Sequence, residues 1–284
     1  MQNTISPIIH AEELQTLIGH TDLIILDATN GKNAHLNYQQ HHIIGALFID
    51  LNTQLANIKE NAAIGGRHPL PSPQKFAETL TQLGISNNSH IVIYDENNAS
   101  NAAARAWWML TSFGHQKVQV LNGGFNSAQQ HGLPINAHTV QPNKVEPYPI
   151  NAWQLPQANM IEVEKVSYNK DYLVIDVRDH ARFIGQTEPI DLIAGHIPGA
   201  INLPFIENLN EEGLFLDPQN LKLKYEKVCK ELRPENIIVH CGSGVTACHT
   251  LLAMAYANLP IPKLYVGSWS EWSRNNKPIA TSLN

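Results

Sequence analysis

Cys241 stands where the apolar run Ile237-Ile238-Val239-His240 ends, and Gly242-Ser243-Gly244-Val245-Thr246 separates it from a helix-like stretch running from Ala247 to Tyr256. In an open parallel sheet, ligands bind beyond the carboxyl ends of the strands, and this thiol falls there. Glycines at 242 and 244 let the backbone curl tightly, so that successive N–H groups, with a helix N-terminus behind them, can point at whatever the sulfur carries. Such a cradle favours negative charge. It is expected to lower the thiol from a free value of roughly 8.5 into the range where thiolate is abundant at pH 7, which makes Cys241 a nucleophile. Cys229 and Cys248 lie in predicted helices with no glycine loop and read as core residues.

Other chemistries fit less well. A Cys-phosphatase loop has five residues between the Cys and an Arg that clamps phosphate, and Ala247 occupies the Arg position here. Fourteen histidines include the adjacent pair His41-His42, but there is no His-Glu-x-x-His and no Cys-x-x-Cys, so no dedicated metal site is expected. Gly65-Gly66 and Gly123-Gly124 lack the Gly-Lys-Ser/Thr ending of a nucleotide loop, and no cofactor is implied.

The elements that must position Cys241 occur twice. Ile25-Leu26-Asp27-Ala28 answers Val174-Ile175-Asp176-Val177, and His42-Ile43-Ile44-Gly45-Ala46 answers His196-Ile197-Pro198-Gly199-Ala200. Further on, Ile91-Val92-Ile93-Tyr94-Asp95 answers Ile237 to Cys241, and Asn122-Gly123-Gly124-Phe125 answers Val266-Gly267-Ser268-Trp269. Matches in the same order at nearly constant separation indicate a duplicated domain. Each copy carries an amphipathic helix ahead of its second apolar strand, marked by Phe76, Leu80 and Leu83 in the first and by Leu221, Tyr225, Val228 and Leu232 in the second. Strands alternating with helices predict two α/β domains with mainly parallel sheets. Pro134, Pro142, Pro147, Pro149 and Pro156 punctuate the stretch between them. The expected division is residues 1–135, a linker over 136–160, and 161–284.

Length and composition agree with that division. At 284 residues and 43% hydrophobic, the chain has material for two cores, and 15% charged residues argue against disorder. A formal charge of -6 gives no general attraction to nucleic acid or an anionic membrane, so an anionic substrate must find a local positive site. Three cysteines make no disulfide framework and fit a reducing compartment. The start, MQNTISPIIHAEELQTL, has neither a basic nor a sustained apolar region, and no segment approaches a membrane span, so a cytoplasmic location is expected.

These residues resemble the two-domain sulfurtransferases of the rhodanese superfamily, of the 3-mercaptopyruvate sulfurtransferase type. The resemblance rests on Trp107-Trp108-Met109, Val120 to Phe125, Gly195-His196-Ile197-Pro198-Gly199-Ala200, the Cys241 to Thr246 loop, and Gly267-Ser268-Trp269-Ser270-Glu271-Trp272. It implies two tandem rhodanese-like domains, with Asp95 replacing the cysteine in the first. It further implies that Cys241 takes sulfur from a small anionic donor as a persulfide and passes it to a thiol, a thioredoxin-like protein or cyanide. The loop residues Gly242, Gly244, Val245 and Thr246 would hold the substrate, and Arg182 matches the family's substrate arginine, with Arg178 as a further contact. Ser243 and His68, the latter supplied by the first domain, match a proton relay; Asn52 rather than Asp50 falls at the place of the family's Asp, so either Asp50 substitutes or the relay is incomplete. Relatives commonly carry another arginine before Gly-His-Ile-Pro-Gly, whereas Glu188 to Ala194 holds no basic residue here. The alternatives are a thiosulfate:cyanide sulfurtransferase and a non-catalytic rhodanese-like module that binds or carries sulfur.

Overall fold

The computed structural model describes residues 5–98 and 101–281, which form two compact units. One comprises Met1–Ala56, Pro71–Gln154 and Glu211–Phe215; the other comprises Asn57–Leu70, Leu155–Asn210 and Leu216–Asn284.

The first unit contains β1 (Ile8–Ile9), α1 (Ala11–Leu17), β2 (Leu23–Asp27), α2 (Ala34–Gln40), β3 (His42–Ile43), β4 (Ala46–Phe48), α3 (Pro73–Gln82), β5 (His90–Tyr94), α4 (Ala102–Ser112), β6 (Val118–Leu121), α5 (Gly124–Gln130) and β7 (Ile135–Asn136). Its five-stranded sheet runs β1-β6-β5-β2-β4, all parallel. The central strands β2 and β5 carry unbroken apolar runs, residues 23–26 and 91–94, as a parallel sheet buried on both faces requires.

The second unit contains β8 (Gln157–Ala158), α6 (Met160–Val166), β9 (Leu173–Asp176), α7 (His180–Phe183), β10 (Ile201–Asn202), α8 (Pro218–Cys229), β11 (Ile237–His240), α9 (Ala247–Tyr256), β12 (Lys263–Tyr265) and α10 (Ser268–Trp272). Its parallel sheet runs β10-β9-β11-β12-β8, the same order as the first when each strand is replaced by its sequence counterpart. The duplication read from the chain is therefore a duplication of topology. Phe183, Ile197, Ile238, Trp269 and Trp272 are fully enclosed in its core.

Two local features depart from expectation. Helix α8 ends at Cys229 because Lys230 takes a φ of +52°, so Leu232 lies past the helix in a turn closed by its own N–H on the Cys229 carbonyl. The proline-rich stretch after β7 is tied down along the first unit. There Trp153 packs against Phe76 and Phe113, the Tyr148 N–H donates to Thr81 Oγ1, and the Gln154 N–H donates to the Ser112 carbonyl.

Gly199, in the turn leading to β10, has a φ of +84°, and a Cβ there would lie 1.9 Å from the Ser167 carbonyl oxygen. Gly132 has a φ of +68° with nothing within 4 Å of a Cβ. Gly132→Ala is expected to cost about 1 to 2 kcal/mol from the left-handed backbone alone, and Gly199→Ala distinctly more. Urea unfolding of both variants checks this, and equal costs would mean that the Ser167 backbone yields freely.

Candidate active site

The thiol of Cys241 sits just beyond β11, and the residue is 3% exposed. Its position is held from α10: the Trp269 N–H donates to the Cys241 carbonyl at 3.0 Å and the Ser270 N–H to the Gly242 carbonyl at 2.8 Å. The Cys241 N–H donates to Ser268 Oγ, which in turn donates to the Tyr265 carbonyl. The described chain has no cis peptide, and in a trans peptide the C=O and the following N–H point in opposite directions. With both carbonyls directed at α10, the amides of Gly242 and Ser243 must face away from it. Among the described residues, no protein acceptor takes the amides of Gly242, Ser243, Val245 or Thr246, although the first three residues are buried. Buried N–H groups are nearly always bonded, so a row of open ones beside a thiol marks a place for an acceptor from outside the chain. Gly244 has a φ of +72°, and a Cβ there would strike the Val266 carbonyl oxygen at 2.4 Å.

The first unit supplies an internal comparison. Asp95 holds the place of Cys241, and the Phe125 N–H binds its carbonyl at 3.0 Å just as Trp269 binds that of Cys241. There the Asp95 carboxylate accepts from the Asn97 N–H at 2.9 Å and from the Ala103 N–H, in the first turn of α4, at 3.1 Å. One copy of the cradle therefore carries its own anion, and the other leaves amides open.

Around the Cys241 loop lies a network of arginines and buried carboxylates. Arg178 donates from Nε and Nη2 to Asp176, from Nη1 to Glu188 and from Nη2 to the Gly195 carbonyl, and its side chain is 1% exposed. It stacks over the Trp269 ring at 4.6 Å. Burial works against its charge, but Asp176, Glu188 and the Cys241 sulfur outweigh that and hold its pKa above the ordinary value. With every nitrogen bonded inside the protein, Arg178 supplies a fixed charge rather than an open contact. Burial likewise opposes the Asp176 charge, yet Arg178 and His240 reverse the effect and hold this carboxyl below its usual range.

Arg182 grips Glu188 through Nε at 3.1 Å and Nη2 at 2.7 Å, and its Nη2 is 3.5 Å from Asp191. Asp191 is also bonded by Arg67 and by Arg274 at 2.8 Å. A Cβ built on Gly242 would lie 2.9 Å from Arg67 Nη2 and 3.5 Å from Arg182 Nη2, which places both guanidiniums against the cysteine loop. Composition and motif spacing gave no weight to Arg67, to its anchor Asp191 or to Glu188, which holds Arg178 and Arg182. The available signal was position: Arg67 directly precedes His68.

Ser243 and His68 meet: Ser243 Oγ and His68 Nδ1 share a hydrogen bond of 2.8 Å. His68 comes from the first half of the chain, but its segment, Asn57–Leu70, belongs to the second compact unit. It is stapled there by the Gly65 N–H on Glu271, the Arg67 N–H on Ser270 Oγ and Asn275 Nδ2 on the Ala63 carbonyl. Asp50 Oδ1 accepts from the Asn52 N–H, the Thr53 N–H and the Thr53 hydroxyl, so that oxygen closes its own turn. Cys248 is buried in α9 with its thiol on the Gly244 carbonyl, and burial pushes the Cys229 thiol up to about 11, so neither has the setting of a nucleophile. No helix among the described residues is long and apolar enough to cross a membrane.

Comparison with known proteins agrees with this geometry. The rhodanese-like domain family matches residues 10–131 and 159–275. A probable 3-mercaptopyruvate sulfurtransferase of Pseudomonas aeruginosa is 35% identical over 95% of this chain and 96% of its own. A thiosulfate sulfurtransferase of Cricetulus griseus is also 35% identical, over 90% of this chain and 86% of its own. The crystal structure of a 3-mercaptopyruvate sulfotransferase from Escherichia coli, 32% identical, superposes with a TM-score of 0.75 over 94% of this chain and 100% of that one. The chain belongs to the rhodanese family of sulfurtransferases and carries two copies of its domain.

Removing one partner from a buried ion pair strands the other. Asp176→Asn is expected to cost about 3 to 5 kcal/mol at pH 7, measured by urea unfolding. A carboxylate with a depressed folded pKa stabilises fully above its unfolded value near 3.8 and loses that contribution as pH falls through the folded one. The gap between wild type and variant should therefore narrow below pH 3.8, and a gap independent of pH would refute the assignment.

Proposed function

We propose that the protein transfers sulfur from 3-mercaptopyruvate to a thiophilic acceptor through a persulfide on Cys241. The observation that carries this reading is the set of buried amides at 242, 243 and 245 that have no protein acceptor among the described residues beside the thiol, while at the equivalent place the Asp95 carboxylate accepts from the amides of Asn97 and Ala103.

In this reading the Cys241 thiolate attacks the donor sulfur, and an S–S bond forms as the C–S bond breaks. The bonding electron pair leaves on the donor's methylene carbon as the enolate of pyruvate, which takes up a proton. Ser243 and His68, already in contact, move the proton between the donor thiol and this carbon. The open loop amides, assigned to Gly242, Val245 and Thr246 with Gly244 shaping the turn, hold the anionic persulfide. Arg182, fixed by Glu188, attracts the donor carboxylate, and Arg178 contributes charge from behind. A thiol, a thioredoxin-like protein or cyanide then attacks the outer sulfur and restores the Cys241 thiolate, which gives ping-pong kinetics.

Thiosulfate as donor is the second reading, favoured by relatives of that name at the same 35% identity. The Gly-Ser-Gly sequence after Cys241, with no basic residue, and the Ser243–His68 pair favour mercaptopyruvate, whose thiol carries a proton that must move.

Cys241→Ser is expected to abolish transfer to cyanide from either donor, and turnover near wild type would remove the assigned nucleophile. The kcat/KM for 3-mercaptopyruvate should exceed that for thiosulfate, and the reverse order would favour the second reading. Ser243→Ala should lower kcat with mercaptopyruvate about 100-fold or more, in single-turnover assays of pyruvate release, and an unchanged kcat would exclude the relay.

A further inference from the structure

Within the second unit, four guanidiniums meet three carboxylates: Arg67, Arg178, Arg182 and Arg274 against Asp176, Glu188 and Asp191. The network is thus left with one positive charge that its own carboxylates do not balance. Its members differ in what they have left to give. Arg178 has every nitrogen engaged and is out of solvent. Arg274 uses Nη1 for Asp191 and for the Ser270 carbonyl. Arg67 and Arg182 each hold a carboxylate through Nε and Nη2, leaving Nη1 without a protein acceptor among the described residues. These two are also the guanidiniums that come closest to the Gly242 backbone, at 2.9 and 3.5 Å from a Cβ there. Arg67 is the more accessible, with a side chain 25% exposed against 12% for Arg182.

We propose that Arg67 and Arg182 together form a two-armed clamp for the donor's carboxylate, with Asp191 as the positioning residue that holds both arms against the cysteine loop. The proposal rests on the mercaptopyruvate reading and deepens it by assigning a substrate contact to the segment before His68. One arginine on one carboxylate oxygen would leave the donor free to pivot. Two guanidiniums from different segments fix the plane of the 2-oxo acid, and with it the distance of its sulfur from Cys241. The clamp also supplies a second cation where the loop from Glu188 to Ala194 provides none of its own. A side chain at residue 242 would displace the Arg67 guanidinium from the loop.

The test compares wild type, Arg67→Ala, Arg67→Lys and Arg182→Ala with two donors, 3-mercaptopyruvate and mercaptoacetone, the same mercapto ketone with methyl in place of carboxylate. A charged hydrogen bond of this kind sets the expected size: Arg67→Ala should raise KM for mercaptopyruvate about 10- to 100-fold. Mercaptoacetone kinetics should stay the same, and Arg67→Lys, which keeps the charge but not the fork, should fall between. Asp191 retains at least two of its three arginine partners in each variant, and an unchanged Tm shows that the fold stands. An unchanged KM, or an equal loss with both donors, would overturn the clamp. Protection of Cys241 from iodoacetamide by pyruvate gives a readout without turnover: its half-protecting concentration should rise with Arg67→Ala and Arg182→Ala alike. If wild type fails to use mercaptopyruvate, the functional reading falls, and the pyruvate titration still decides whether Arg67 binds a carboxylate. Protection equal to wild type in Arg67→Ala would end the proposal.

Discussion

Two hydrogen bonds from the first turn of α10 to the carbonyls of Cys241 and Gly242 set the direction of every peptide that follows. Because a trans peptide places its C=O and N–H on opposite sides, fixing those carbonyls turns the next amides away from α10 and leaves them without a protein acceptor. Burying such groups without a protein acceptor is unfavourable, so the packing around the loop has to hold them in place. The left-handed turn at Gly244 and the enclosed Trp269 and Trp272 keep that arrangement from relaxing.

The duplicated domain shows what this constraint does when its chemistry is removed. The clamp on the strand-end carbonyl persists in the first copy, through Phe125 on Asp95, and the loop amides remain. A carboxylate in place of the thiol accepts from the amides of Asn97 and Ala103 there. Fold and cradle are thus separable from reactivity: the same topology is a closed structural knot around Asp95 and an open site around Cys241.

Charge is organised by the same logic of incomplete compensation. Asp176, Glu188 and Asp191 are out of solvent and would be costly alone, and the arginines that neutralise them are thereby held in place without relying on surface ion pairs. Asp191 joins three segments distant in sequence, those of Arg67, Arg182 and Arg274. The chain as a whole is acidic, at -6, yet gathers four arginines against three carboxylates beside the Cys241 loop.

Much of this was legible along the chain. Repeated apolar strands ending in Asp or Cys set the two parallel sheets, because a buried parallel strand must be continuously apolar, and the glycine-flanked Cys241 announced a thiol at a strand end. Ser243 and His68 were paired through a family likeness, and their contact depends on the packing of Asn57–Leu70 into the second unit, which no local periodicity encodes. Leu232 looked helical until the backbone at Lys230 broke the turn. The partners of Arg67, Arg178 and Arg182 were beyond reach for a different reason. An arginine's role follows from which of its nitrogens are already bonded, and that is decided only when carboxylates far apart in sequence are folded against it.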